Sequence, residues 1–230
     1  MEKKTETEET VTPRSLETVR LLIRPFQEED ADAFFACCQN PNLGNNAGWA
    51  PHKTIEESRE ILQNVFIGQE NIWAMILKDT QQLIGSIGIV PDPKRENPQV
   101  RMLGYWLDEA HWGKGYMTEA VQAILNYGFN ELQLSLITAN CYPHNKRSQQ
   151  VLERNGFIYE GVLHQAELTY NGNIFDHLCS IFRIYASLPR KTMTRFWKFG
   201  KHRYATRIIF SRKNISSFTS HWCAIIIYRR

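Results

Sequence analysis

His111-Trp112-Gly113-Lys114-Gly115-Tyr116-Met117-Thr118-Glu119-Ala120 stands between a strand-like run, Met102-Leu103-Gly104-Tyr105-Trp106-Leu107, and a helix-like one, Thr118 to Phe129. A glycine-bearing loop between strand and helix turns several backbone N–H groups toward one point. The helix N-terminus adds partial positive charge there, so the loop suits a phosphate or pyrophosphate. Gly113 and Gly115 let the main chain approach a ligand with no Cβ in the way. Two glycines in a loop are also compatible with a plain structural turn, so the segment gains meaning only from its context.

Neither common nucleotide loop fits. A P-loop needs Ser or Thr directly after its lysine, and Lys114 is followed by Gly115. A dinucleotide fingerprint needs a third glycine, and position 118 is Thr.

Around this loop the periodicity predicts one α/β (α+β) domain. Arg20 to Pro25 reads as a strand, Glu28 to Gln39 as a helix with three acidic residues in its first turn, and Asn40 to His52 as a loop. Thr54 caps a second helix reaching about Ile67, with Glu57 completing a capping box. Asn71 to Lys78 and Leu83 to Val90 form a hairpin-like pair, Pro91 to Pro98 a long turn, and Gln99 to Leu107 the central strand. The helix after the glycine loop places Ala120, Ile124, Leu125 and Phe129 on one face. Ser135 to Cys141 follows as a strand and Lys146 to Arg154 as a helix. Ile158 to Tyr185 reads as two strands hinged at Asn171-Gly172-Asn173.

At 230 residues, 43% hydrophobic and 22% charged, the chain has the composition of a globular protein with a full core. Five cysteines without a C-x-x-C pair favour reduced thiols and a cytoplasmic location. His202, His221 and Cys223 lack metal-ligand spacing, so no metal is expected. The polar, acidic start has no signal-peptide core, and no apolar run is long enough to span a bilayer, so no membrane association is expected. The net charge of +3 hides a division: residues 189–230 hold eleven Lys or Arg and no acidic side chain, leaving 16 basic against 24 acidic elsewhere. The expected division is thus an acidic, disordered segment over 1–15, a folded domain over 16–187, and a basic extension over 188–230. With Trp197, Phe199, Tyr204 and Trp222 interleaved, that tail is suited to RNA or ribosome contact, but the favoured reading is an extension unrelated to catalysis.

Several segments in order resemble the GNAT superfamily of acetyl-CoA-dependent N-acetyltransferases, and within it the RimJ/RimL-type enzymes that acetylate ribosomal-protein N-termini. They are Leu16 to Pro25, Gly104-Tyr105-Trp106-Leu107, Trp112 to Met117, Asn145-Lys146-Arg147-Ser148 with Asn155-Gly156-Phe157, and Glu160-Gly161 followed by Gln165-Ala166-Glu167. The resemblance covers roughly residues 16–185. It implies a central, mostly antiparallel twisted sheet flanked by helices, whose middle strands, Gln99 to Leu107 and Ser135 to Cys141, splay apart. It implies acetyl-CoA as co-substrate, its pantetheine arm in that gap and its pyrophosphate on the N–H groups of Gly113, Lys114, Gly115, Tyr116 and Met117. Trp112 and Met117 depart from the residue types usual at the two ends of this loop. The Lys114 side chain adds a cationic contact or is simply solvated. Asn145 either bonds the pantetheine or caps the helix it begins.

Amine attack on a thioester requires that the amine lose a proton, the oxyanion meet a donor, and the thiolate gain a proton. The resemblance assigns the proton donor to Ser148, since Leu152 occupies the place of the tyrosine many relatives use, and the base to Glu167. As bland alternatives, Ser148 is a small polar helix residue and Glu167 faces solvent on its strand. The oxyanion donor is placed at a main-chain N–H near Leu107. Met102-Leu103 replaces the Glu-Ile pair of many relatives, which removes a base from that strand. Trp49 and Trp73 read as core aromatics, while the Asn40 to His52 loop and Glu56, Glu57 and Glu60 are expected to wall the acceptor side. The expected acceptor is a peptide N-terminus. A polyamine, amino acid or antibiotic amine is the rival, and a non-catalytic CoA- or RNA-binding protein the third reading. A homodimer is expected from the family alone.

Overall fold

The computed structural model describes residues 14–183. Its strands are β1 (Leu16–Glu17), β2 (Leu21–Arg24), β3 (Ile72–Leu77), β4 (Leu83–Pro91), β5 (Val100–Leu107), β6 (Leu136–Cys141), β7 (Ile158–Leu168) and β8 (Ile174–Phe182). They form one sheet in the order β1-β2-β3-β4-β5-β6-β8-β7, antiparallel throughout except for the parallel pair β5–β6. The helices are α1 (Ala31–Cys38), α2 (Pro41–Ala47), α3 (Ile55–Ile61), α4 (Tyr116–Asn130) and α5 (Lys146–Arg154). The expected acidic start and basic tail lie largely or wholly outside the described residues.

Strand β3 shows why the sheet is covered on both faces. Its side chains alternate: Trp73, Met75 and Leu77 join Ala120, Val121 and Ile124 of α4, whereas Ile72, Ala74 and Ile76 join Phe34, Leu62 and Phe66. A strand buried on both sides reads as a continuous apolar run, as Ile72-Trp73-Ala74-Met75-Ile76-Leu77 does. Val121 and Ile124 are fully buried, and each such side chain contributes about 1.5–3 kcal/mol. Trp73 and Trp49 are both core residues.

The segment expected to be a loop contains a helix. Asn40 caps α2 by accepting from the Asn42 N–H at 2.9 Å, Pro41 occupies the first turn, and Gly48 ends it at φ 86°. Start and stop signals take up much of this short helix, so its composition resembles a loop while Leu43 and Ala47 anchor it. The second helix also departs from expectation, since α3 gives way to one wider turn, Leu62–Phe66. Thr54 caps α3, but Glu57 reaches back to the Lys53 N–H rather than to Thr54.

The middle of the sheet opens as expected. Pairing between β5 and β6 runs from Val100–Leu136 to Leu103–Ala139 and stops there. Beyond that point β5 stays on β4, through Leu107–Gly85, while β6 follows β8, through Cys141–Leu178. A wedge therefore opens between residues 104–107 and 140–141. Among the described residues, no helix is long and apolar enough to cross a membrane.

Candidate active site

A cavity of about 260 Å³ runs from the wedge to the glycine loop. Leu107, Trp112, Gly113, Gly115, Tyr116 and Met117 border it, as does Asn145. Lys114 does not; its side chain is exposed, and its carbonyl accepts from Arg20 at 2.9 Å. Gly113 and Gly115 have φ of 76° and 81°, the left-handed region where glycine carries no Cβ penalty. A Cβ on Gly113 would meet nothing within 4 Å, so this position is open for a ligand to approach. The first N–H groups of α4 have no intrahelical acceptor, and the residues that carry them, Tyr116, Met117 and Thr118, line the same cavity.

This loop is held from behind. Glu119 accepts from Thr18 Oγ1 at 2.6 Å, from the Arg20 N–H at 2.8 Å and from Arg20 Nε at 2.7 Å. Burial raises the Glu119 carboxyl, but these bonds and the guanidinium charge outweigh it and hold the group below its ordinary range. The Arg20 guanidinium also lies 4.4 Å over the Tyr116 ring. On the other side, Glu109 accepts from Asn40 and Asn42, which ties the start of α2 to the approach of the loop.

Strand β5 presents backbone to the wedge. The Asp108 N–H donates to Ile84 on β4, so the N–H and carbonyl of Leu107 point the opposite way, toward the opening. The carbonyl is already taken by Trp112 Nε1 at 2.7 Å. The Leu107 N–H remains directed at the gap.

At the N-terminus of α5, Asn145 Oδ1 accepts from the Ser148 N–H at 3.1 Å, and its amide nitrogen donates to the Asn46 carbonyl at 3.2 Å. Both polar ends of Asn145 are thus engaged, one as a helix cap and one as a tie to α2. Ser148 Oγ is 2.9 Å from the Tyr105 hydroxyl, and either oxygen can donate. Burial pushes the Tyr105 phenol well up, with the Ser148 bond only partly offsetting it, so the pair stays protonated at neutral pH.

Tyr105, Asn145 and Ser148 border a second, smaller cavity of about 50 Å³, which also touches Cys141 and His177. Burial raises the Cys141 thiol to about 11, so it is not a thiolate at neutral pH. The expected base, Glu167, lies just behind His177. It is buried on a strand whose neighbours are mostly exposed, and its Oε2 is 2.9 Å from His177 Nε2. Glu167 is therefore not a solvent-facing strand residue. The acidic face of α3 borders neither cavity; the wall on that side is formed by Leu43, Asn46 and Ala47 of α2.

Sequence reasoning missed Tyr105 as a hydroxyl partner, His177, and the cationic wall of α5. Arg147, Gln150 and Arg154 recur at three- and four-residue spacing, which puts them on one helix face along the larger cavity. The Arg147 guanidinium stacks 4.7 Å over the Trp112 ring. That spacing was readable; the direction of the face was not.

Residues 20–158 match the model of the acetyltransferase (GNAT) domain. The chain is 32% identical over 165 residues to the uncharacterized N-acetyltransferase YoaA of Bacillus subtilis, covering 70% of this chain and 92% of that protein. It is 37% identical over 136 residues to a ribosomal-protein-serine acetyltransferase of Escherichia coli, covering 56% and 74% respectively. A solved GNAT-family acetyltransferase from Bacillus anthracis superposes with a TM-score of 0.65 at 25% identity, covering 74% of this chain and 98% of the other. The open wedge, the left-handed glycine loop and these matches agree, and the chain belongs to the GNAT family of acetyltransferases, as an acyltransferase of that fold.

Proposed function

We propose that this chain transfers the acetyl group of acetyl-CoA to a primary amine, and that its acceptor is the N-terminal α-amino group of a protein. The observation that carries this reading is the meeting of the two cavities at Tyr105, Asn145 and Ser148. The larger one has the length, the glycine loop and the arginines for a phosphorylated carrier; the smaller one has the polar groups for an amine. The co-substrate supplies an acetyl thioester. Gly113, Gly115, Tyr116 and Met117 hold its pyrophosphate through backbone N–H groups, with Arg147 and Arg154 adding positive charge. The Leu107 N–H bonds the wedge-bound arm or the developing oxyanion. Ser148, backed by Tyr105, gives the departing thiolate its proton. The Glu167–His177 pair provides the basic function on the opposite side.

Similarity to a ribosomal-protein-serine acetyltransferase favours a peptide acceptor. The narrowness of the smaller cavity suits the first residue of a peptide and also a small amine. Release of free CoA, measured with peptides of varied N-terminal residue and with polyamines and aminoglycosides, tests this. Turnover with peptides supports the reading; turnover with small amines alone keeps the chemistry and replaces the acceptor; no turnover with either panel overturns it.

A further inference from the structure

We infer that His177, held by Glu167, is the group that takes the proton from the acceptor amine, an inference that rests on the acetyl-transfer reading above. The two residues meet because β7 carries two extra residues. Leu163 pairs with His177, yet Glu167 rather than Gln165 stands opposite Phe175. Gln165, at φ 49°, sits in that irregularity, and Asp176 braces it by accepting from the Gln165 N–H and bonding His164, each at 2.9 Å. Phe175 and His177 point to one face of β8, and the two extra residues move Glu167 along that same face to stand opposite Phe175, within reach of His177.

Both side chains of the pair are 7% exposed, with Glu167 Oε2 and His177 Nε2 at 2.9 Å. His177 Nδ1 and Glu167 Oε1 are buried with no hydrogen-bond partner. A buried nitrogen without a partner is unusual and marks a position where a ligand group is expected to bond. Of the two residues, His177 borders the smaller cavity and Glu167 does not. With Nε2–H donating to the carboxylate, Nδ1 keeps its lone pair, and the adjacent carboxylate stabilises the imidazolium that protonation creates. Ser148 and Tyr105 border the same cavity, so a proton acceptor and a proton donor both reach one space.

In the step this assigns, the neutral amine nitrogen bonds to the thioester carbon and gives one proton to His177 Nδ1. The C–S bond breaks, and the sulfur takes a proton from the Ser148–Tyr105 hydroxyl pair. The imidazolium returns its proton to water and the hydroxyl pair recovers one, leaving an amide and a free thiol. Glu167 touches no reacting atom; it is a positioning residue that fixes the imidazole tautomer.

His177→Gln and Glu167→Gln separate the two roles. In His177→Gln the amide nitrogen still donates to Glu167, but the basic nitrogen is gone. Its kcat is expected to fall about 10²–10⁴-fold with acetyl-CoA affinity unchanged, while Glu167→Gln loses about tenfold. Nitrogen NMR of the wild-type imidazole is expected to show a neutral ring protonated on Nε2, with the tautomer mixture altered in Glu167→Gln. The wild-type part of this readout does not depend on the variants' stability. Near-normal turnover of His177→Gln beside an inactive Glu167→Gln overturns the inference and leaves acetyl transfer intact, as does a wild-type ring protonated on Nδ1. A wild-type protein that turns over neither peptides nor small amines overturns both.

Discussion

The indole of Trp112 donates to the Leu107 carbonyl across 2.7 Å, closing the open side of the last β5 residue with the first side chain of the glycine loop. Strand end and loop are thereby fixed to each other, and the N–H of Leu107 is left facing the gap. The other face of the indole carries Arg147. Trp112→Phe keeps a ring under that guanidinium and removes only the donor. Loss of a bond worth about 1 kcal/mol weakens CoA binding about fivefold, as titration calorimetry would read it. An unchanged Kd would mean that the carbonyl tie does not shape the binding surface.

Ser148 and Tyr105 share one hydroxyl contact, so their substitutions are expected to be non-additive. Ser148→Ala lowers kcat by about 10–100-fold with little change in acetyl-CoA affinity, and Tyr105→Phe by less. The double variant falls no further than Ser148→Ala alone. Steady-state kinetics of the four proteins settles this, and a double loss equal to the product of the single ones would show independent roles.

The Glu119 carboxyl has a lowered folded-state pKa, so its contribution to stability is fully present above its ordinary value of 4.5 and is lost as pH falls through the lowered one. Glu119→Gln removes the ionisable group that anchors Thr18 and Arg20. The variant is expected to be less stable at neutral pH by about 1 kcal/mol, with the gap from wild type shrinking on the acid side. Thermal melts across this range are the check. A gap that stays constant with pH would assign the effect to shape rather than charge.

Arg147→Ala is expected to weaken CoA binding about tenfold and to reduce its salt dependence, because a guanidinium on a phosphate is a charge-assisted contact. Lys114→Ala, whose side chain lies off the cavity wall, is expected to leave both unchanged. Calorimetry at two salt concentrations compares them, and equal losses would return Lys114 to the site.

The sheet was largely legible in the chain because buried strands and the amphipathic α4 carry strong periodic signals. The fully apolar β3, the glycine loop and the Asn171-Gly172-Asn173 turn each encode their geometry locally. Helix α2 was not, because the residues that start and stop it are also those of loops. Ser148 and Glu167 were singled out through resemblance, yet their surroundings come from distant parts of the chain. Ser148 meets Tyr105 from 43 residues away, and Glu167 meets His177 only through an irregular register that no local pattern announces. Similarly, Asn145 was read two ways, and its bond to α2, which lies 99 residues away in the chain, is one that no local pattern announces.

Among the described residues, the two halves of the sheet are stitched through backbone by the four parallel pairs from Val100–Leu136 to Leu103–Ala139 and by the Ser135 N–H donating to the Gln99 carbonyl just before them. A bound carrier with amide groups lying in the wedge would supply the missing rungs, so that the ligand becomes in effect a ninth strand shared by both halves. Its departure would then unfasten the seam from the open end first. Cohesion of the protein and occupancy of its site are in that sense one property, and amide exchange in β5 and β6 beyond Leu103 and Ala139 should slow together when the seam is filled.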